Sequence, residues 1–392
     1  MIRSPRRCTV PRVSKHVLIL GAGFGGLELA TRLSETIADA VRVTLIDRND
    51  SFFFGFSKLD VMLGRKSAEE IKLPYGEIDM EGVEFRQQTV TGIDPAARRV
   101  STDRGSHDAD FLVVALGADY DFAATPGFEE GGHEYYTLAG AERLRDALAE
   151  FKGGKVLLSV LGQPFKCPPA PFEGSFMMHE YFTQHGIRDA VEMATTFPMG
   201  RPVPVTGEVS QMFREGLAAR NVTELPEHLV TGIDPASRTA QLASGEQLPY
   251  DLFVGIPIHR APAVLADSGL VENNWVPVDQ ANLRTRFAGV YALGDVCSGP
   301  RNVPKAGIFA EAAARVVADD IAAAVAGTDP PAPYEGSGVC YAEFGGGLVS
   351  KVEVNFLRGD APEARRQDPS LAFAAEKEQF GTVRRARWFG RS

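Results

Sequence analysis

Cysteine is scarce: 392 residues carry four, at positions 8, 167, 297 and 340. So few and so unevenly placed, they exclude a secreted disulfide scaffold, and each thiol needs its own explanation. Long apolar runs are missing too. The most apolar stretches, such as residues 251–258, are strand-sized and fall well short of the roughly 18 residues that span a bilayer, so no membrane-spanning helix is expected. Positive charge is in deficit, with 41 basic against 51 acidic residues and a net charge of -10. That balance argues against a nucleic-acid partner for the body of the protein. The N-terminus carries Arg3, Arg6, Arg7, Arg12 and Lys15 with no acidic residue. An Arg6-Arg7 export signal is not favoured, because the apolar residues 17–20 run straight into a glycine-rich turn with no cleavage site. Cytoplasmic residence is the expectation.

What is present reads as a globular protein of two or three domains, 44% apolar and 23% charged. Residues 17–20 form a short apolar run with the look of a buried parallel strand, and residues 27–33 continue with helical spacing. Between them lies Gly21-Ala22-Gly23-Phe24-Gly25-Gly26, and a second strand, 41–46, ends at Asp47. Strand, glycine turn, helix and strand with a terminal acidic residue is a dinucleotide fingerprint. Gly21 permits the tight turn and Gly23 lets backbone amides approach a pyrophosphate at the helix N-terminus. Gly26 allows close helix–strand packing, and Asp47 can accept hydrogen bonds from ribose hydroxyls.

An internal repeat organises the rest. The string VTGIDPA occurs at 90–96 and again at 230–236, each copy leading to a buried strand, at 110–117 and 251–257. A period of 140 residues is far too long for a solenoid and predicts two whole domains of one architecture. The second domain opens with a strand at 155–161, after which a glycine loop is due. The residues there are GQPFKCPPAPFE, 162–173, in which Pro164, Pro168, Pro169 and Pro171 remove the amides that would cradle a pyrophosphate. A second dinucleotide is not expected, and Cys167 stands in its place.

Further on, residues 287–295 read as a strand ending in Gly294-Asp295, and 303–317 as a helix initiated by Pro304. Together they match the second flavin motif of two-domain flavoprotein reductases. Asp295 would bond the ribityl chain of FAD, and the helix would aim its positive end at the pyrimidine edge of the ring. After a proline-rich linker at 330–333, alternation in 338–347 and 348–356 suggests strands. The basic, aromatic tail 383–390 leaves two readings open: contact with an anionic membrane surface, or packing of Trp388 and Phe389 on a neighbouring subunit of a homodimer.

These residues resemble the sulfide:quinone oxidoreductases and the flavoprotein subunit of flavocytochrome c sulfide dehydrogenase, from about Lys15 onward. The marks are the fingerprint, KCPPAPFE at 166–173, Gly294-Asp295 with Pro304-Lys305, and CYAE at 340–343. The resemblance implies an α/β fold of two Rossmann-like domains, the FAD domain discontinuous, plus a small C-terminal domain. The expected bounds are 15–122 and 259–328 for the FAD domain, 123–258 for the second domain and 329–392 for the third. It implies that Cys167 and Cys340 form a redox disulfide beside the flavin. Such a centre oxidises sulfide or a small sulfur compound by thiol–disulfide exchange and passes electrons to a quinone or a redox protein.

Expected FAD contacts are Gly21, Gly23, Phe24, Gly25, Gly26, Asp47, Arg48, Ala115, Gly117, Gly294, Asp295, Lys305 and Ala306. Lys305 is also expected to stabilise negative charge on the ring, and Glu173 to accept a proton. No metal site is expected. Two features depart from the family pattern: no third cysteine lies between Ala118 and Lys166, and no cysteine in 51–57 offers a tether, so FAD is expected to be non-covalent. Cys297 needs no role beyond packing, Cys8 none at all, and His179 and His185 read as structural. A type II NADH dehydrogenase-like enzyme would need the missing glycine loop, whereas a flavin redox sensor without turnover fits the same residues.

Overall fold

The computed structural model describes residues 14–299, 301, 303–329 and 332–390. Cys8, the Arg6-Arg7 pair and part of the proline linker lie outside the described residues.

The first βαβ unit forms as its pattern requires: β1 (Lys15–Leu20), α1 (Phe24–Ile37) and β2 (Val41–Asp47). Leu18, Ile19 and Leu20 are fully buried, which places β1 in mid-sheet with both faces covered. A short helix α2 (Ser57–Met62) follows, then β3 (Val83–Gln87) and β4 (Phe111–Val114). The second unit contributes β5 (Gly154–Val160), α3 (Ala170–Gln184), β6 (Val191–Phe197), β7 (Val222–Pro226) and β8 (Leu252–Ile256). The chain then returns through β9 (Val290–Ala292) and α4 (Gly307–Ala326). It finishes with β10 (Ser337–Glu343), β11 (Val349–Asn355), β12 (Glu363–Ser370) and α5 (Ala372–Phe389).

Two parallel sheets result. The first has the order β9-β4-β1-β2-β3, so a strand from residue 290 closes a sheet begun at residue 15, and that domain is discontinuous. The second has the order β7-β6-β5-β8 and covers a core rich in phenylalanine, including Phe172, Phe176, Phe197 and Phe213. The VTGIDPA repeat is structural. Each copy opens a three-stranded antiparallel sheet with a register shift at the same place, Val90/Gly92 and Val230/Gly232. Arg98 and Arg238 occupy the matching turn, both at φ 53°. The third piece is a three-stranded antiparallel sheet, β10-β11-β12, with α5 against it.

Two expectations are corrected. The helix predicted from residue 303 begins at Gly307, because residues up to Ala306 stay extended and pair with the Cys167 loop through a Lys166–Lys305 bridge. Pro304 therefore precedes the helix instead of starting it. The tail is the larger correction. Trp388 and Phe389 face neither a membrane nor a second subunit: they are buried in the first domain's own core. Trp388 meets Phe24 and Phe52 edge-on at 5.5 and 5.6 Å, and its indole N–H donates to the Glu28 carboxylate at 2.9 Å. Glu28 is fully buried on α1, and a buried carboxylate must be paired. Arg315 from α4 and Arg387 from α5 also bond it, and their combined pull keeps its pKa low against the cost of burial.

Candidate functional site

The site starts at the N-terminus of α1. Gly23 caps that helix with no side-chain bond, and the first turn holds no acidic residue, so its positive end is left for an external anion. A methyl group on Gly23 would meet nothing within 4 Å, and the same is true of Gly117, so both face open space. Gly26 is the opposite case. A Cβ there would lie 1.9 Å from the Gly21 carbonyl oxygen, which is why helix and strand can approach only through glycine. Asp47 closes the turn from the far side, accepting from the Ala22 N–H at 2.8 Å and from the Asn49 N–H at 2.9 Å.

Gly23, Phe24, Gly25, Ala115, Gly117, Gly294, Asp295 and Ala306 line one cavity of about 400 Å³. Asp295 brings a buried Oδ1 that has no hydrogen-bond partner in the protein. Burial raises its pKa, while Lys166 and Lys305 pull the other way. An uncapped helix end, two glycines facing space and an orphaned carboxylate oxygen are the requirements of a pyrophosphate and a polyol chain, and the residues present fit FAD. Gly21 and Gly26 act by packing. Arg48 is largely exposed, and its guanidinium lies 3.5 Å from Asp119.

Cys167 and Cys340 open onto the same cavity. Both are thiols, as is Cys297 among the described residues. Cys167 arrives on the proline-stiffened loop at φ 55°, a left-handed conformation that costs a non-glycine residue on the order of 1–3 kcal/mol. Its N–H donates to the Lys305 carbonyl at 2.7 Å, and its own carbonyl accepts from Ala170 N–H at 2.8 Å, which hold that conformation. Cys340 comes from β10 of the third piece. Lys305 is the expected site residue whose ammonium lies away from this cavity. Its Nζ donates to the carbonyls of Asp295 and Cys297 at 2.6 and 3.0 Å and stands 3.4 Å over the Trp275 ring, so what it contributes to the thiol loop is its backbone.

Electrostatics distinguish the two thiols. Burial pushes Cys340 up to about 12, with Glu173 adding to the shift and no cation opposing it. Burial raises Cys167 well above the ordinary thiol range, and Glu173 adds to the rise there too; the Ala170 N–H and Lys377 work against it, and Lys58 lies within electrostatic reach. Glu173, on the first turn of α3, is 3% exposed and accepts the Glu343 N–H at 2.9 Å. Burial lifts its pKa to about 7 despite the nearby Lys377. A carboxyl tuned to that range can take and return a proton at neutral pH.

Several site residues escaped sequence reading. Lys58 lines the cavity from α2, donates to the Tyr136 carbonyl and is pushed down to about 7 by burial and by Lys166. Lys166 donates to the Ala118 carbonyl at 3.0 Å and stands 4.4 Å over the Tyr120 ring. Tyr136 donates its hydroxyl proton to the Lys166 carbonyl at 2.8 Å. Nearby, His259 keeps a buried, unpartnered Nε2 and is forced neutral, with its pKa lowered to about 3 by burial and Lys166. Single lysines and tyrosines in no recurring pattern carry no sequence signal; only Lys166, adjacent to Cys167, lay inside a motif.

The sequence pattern of the family described as pyridine nucleotide-disulphide oxidoreductase matches residues 15–162 and 180–308. The chain belongs to this family. It is an FAD-dependent oxidoreductase. The sulfide-quinone reductase of Aquifex aeolicus is 26% identical over 359 residues, covering 85% of this chain and 82% of that protein. A solved structure of the sulfide:quinone oxidoreductase from Aquifex aeolicus superposes with a TM-score of 0.83 at 22% identity, covering 96% of this chain and 92% of that one. The type II NADH:quinone oxidoreductase of Staphylococcus epidermidis is 32% identical over 147 residues, which is 36% of this chain and 37% of that protein.

Proposed function

We propose that the protein oxidises sulfide, or another small sulfur compound, at a Cys167–Cys340 centre and passes the electrons through non-covalent FAD to a quinone. The observation that carries this reading is the convergence of two cysteines, from different parts of the chain, on the cavity that holds the dinucleotide turn and Asp295. Relatives named for sulfide and quinone chemistry support it.

The thiols supply the chemistry as a disulfide. Hydrosulfide attacks one sulfur, the S–S bond breaks, and the products are a persulfide on the attacked cysteine and a thiolate on the other. Glu173 faces both sulfurs, and Lys377 and Lys58 lie within electrostatic reach of Cys167, where they offset part of the negative charge the step develops. FAD, when bound, supplies the two-electron acceptor. Glu173 accepts the proton that the sulfur sheds. Among the described residues no helix is long and apolar enough to cross a membrane, so a quinone acceptor would be met at a membrane surface.

The competing enzyme reading is an NADH:quinone oxidoreductase, favoured by the Staphylococcus epidermidis match. Against it stands the loop before α3, where Pro168 and Pro169 occupy the place of amides that would receive a nicotinamide cofactor's phosphates. The deciding experiment is anaerobic mixing of purified protein with sulfide or NADH while flavin absorbance is followed. Sulfide should bleach the flavin at stoichiometric amounts and NADH should do so poorly; the reverse result would sink the proposal.

A further inference from the structure

Whatever accepts the electrons, one proton has to cross between the buried sulfur site and water in each turnover. Oxidation of hydrosulfide, HS⁻ to S⁰, releases one proton and two electrons. A quinone takes up two protons with those electrons, so one enters from solvent; a one-electron redox protein takes none, so one leaves. Glu173 holds its proton at 3% exposure, behind α3, β10 and α5. It needs a connection to the surface.

Glu173 shares its cavity with Lys377, and from Lys377 a file of ionisable side chains leads outward. Glu173 accepts the backbone N–H of Glu343 on β10. The Glu343 carboxylate is bonded by the Lys377 ammonium, which α5 holds against the cavity and over the Phe56 ring at 5.1 Å. The other Glu343 oxygen lies 3.9 Å from the Arg65 guanidinium, whose second nitrogen lies 2.9 Å from Glu180 and which also faces Asp60 at 3.9 Å. Exposure rises along this line: the side chains of Lys377, Glu343 and Arg65 are 10, 21 and 35% exposed. The remaining ionisable groups in reach of Glu173 are the two thiols, Tyr135 and Tyr136, and burial holds all four in their protonated forms near neutral pH, so they offer no exit.

We propose that Glu173, Lys377 and Glu343 form the proton path between the sulfur site and solvent, with Arg65 as the positioning residue that holds its outer end. This rests on the sulfur-oxidising reading for its direction and stoichiometry. Lys377 can pass a proton by taking one on its cavity side as it yields one to Glu343, which leaves its charge unchanged. Arg65 does not give up its proton. It anchors Glu343 beside Glu180 and is the most exposed side chain of the line.

The test uses the FAD-loaded protein, with Glu343→Gln and Lys377→Met. A pH jump from about 6 to about 8 ionises a carboxyl that titrates near 7, and flavin absorbance in the shared cavity reports the change without any sulfur substrate; the phase followed is the one that Glu173→Gln removes, because Lys58 lines the same cavity and also titrates near 7. Relaxation in both variants should be slower by about tenfold or more. Added formate, a small acid that can enter in place of the missing carboxylate, should restore the rate in Glu343→Gln and leave the wild type unaffected. Should Glu343→Gln lose its flavin, Arg65→Met, which leaves the inner groups intact, should show the same defect, and Arg65→Lys should restore the rate. Sulfide bleaching of the same samples is measured in parallel. If sulfide leaves the wild-type flavin untouched while the relaxation defect and its rescue are present, the sulfur reading falls and the path stands. Equal relaxation rates in all the proteins, or a defect in Glu343→Gln that formate leaves unchanged, would overturn the path even where sulfide bleaches the flavin.

Discussion

Glu173 shows how one burial sets both chemistry and stability. Its folded pKa is raised to about 7, mainly by desolvation, from the ordinary carboxylate value of 4.5. The folded state therefore binds the proton more tightly than the unfolded one, and the fold loses stability as pH rises from the unfolded value through about 7. Glu173→Gln should flatten that segment of a plot of thermal midpoint against pH, and should slow sulfide-driven bleaching most above pH 7, where the wild-type carboxylate is available as a base. Cys167→Ala and Cys340→Ala should each abolish bleaching by sulfide while keeping FAD, as read from absorbance after gel filtration. Cys297→Ser should keep most of the activity, because its thiol does not line the cavity shared by the other two. Cys167, Asp295 and the glycine turn were legible because each sits in a motif whose spacing is dictated by a ligand or a turn. Lys58, Tyr136 and His259 were not, since their roles come from burial and from neighbours distant in sequence.

At the scale of elements, α1 has a tightly determined placement. It approaches β1 so closely that a Cβ at Gly26 would clash with the Gly21 carbonyl at 1.9 Å. Gly26→Ala should tilt α1 away and lose FAD, measured as the ratio of flavin to protein absorbance, with the thermal midpoint falling as well. The buried parallel strands were readable from their apolar runs, and the repeated VTGIDPA hairpins from direct repetition. Residues 303–306 were misread as helix because a propensity pattern cannot see that Lys305 is committed to pairing with Lys166 across the domain boundary. The last helix was missed for a related reason. Its sequence alternates charge and aromatic residues in a way that looks surface-bound until Glu28 supplies a buried partner for Arg387 and Trp388.

For the molecule as a whole, the third piece does more than carry Cys340. Its sheet supplies the second thiol, and its helix supplies Lys377 at one end and Trp388 at the other. Trp388→Ala should cost about 3–5 kcal/mol, as expected for deleting a fully buried aromatic, and should loosen flavin retention through Phe24; chemical denaturation and flavin release on dilution would measure the two effects.

The bond between Glu28 and α5 also bears on how the protein is made. Glu28 emerges early in synthesis, but its cation from α4 follows 287 residues later and the one from α5 359 residues later. Until α5 has left the ribosome, the carboxylate on the helix that would receive FAD has Arg315 at most and lacks Arg387 and Trp388, in what must become its core. Cofactor loading is then a late event, which couples flavin capture to completed translation: a chain truncated after residue 371 should remain colourless, while the released full-length chain should retain FAD.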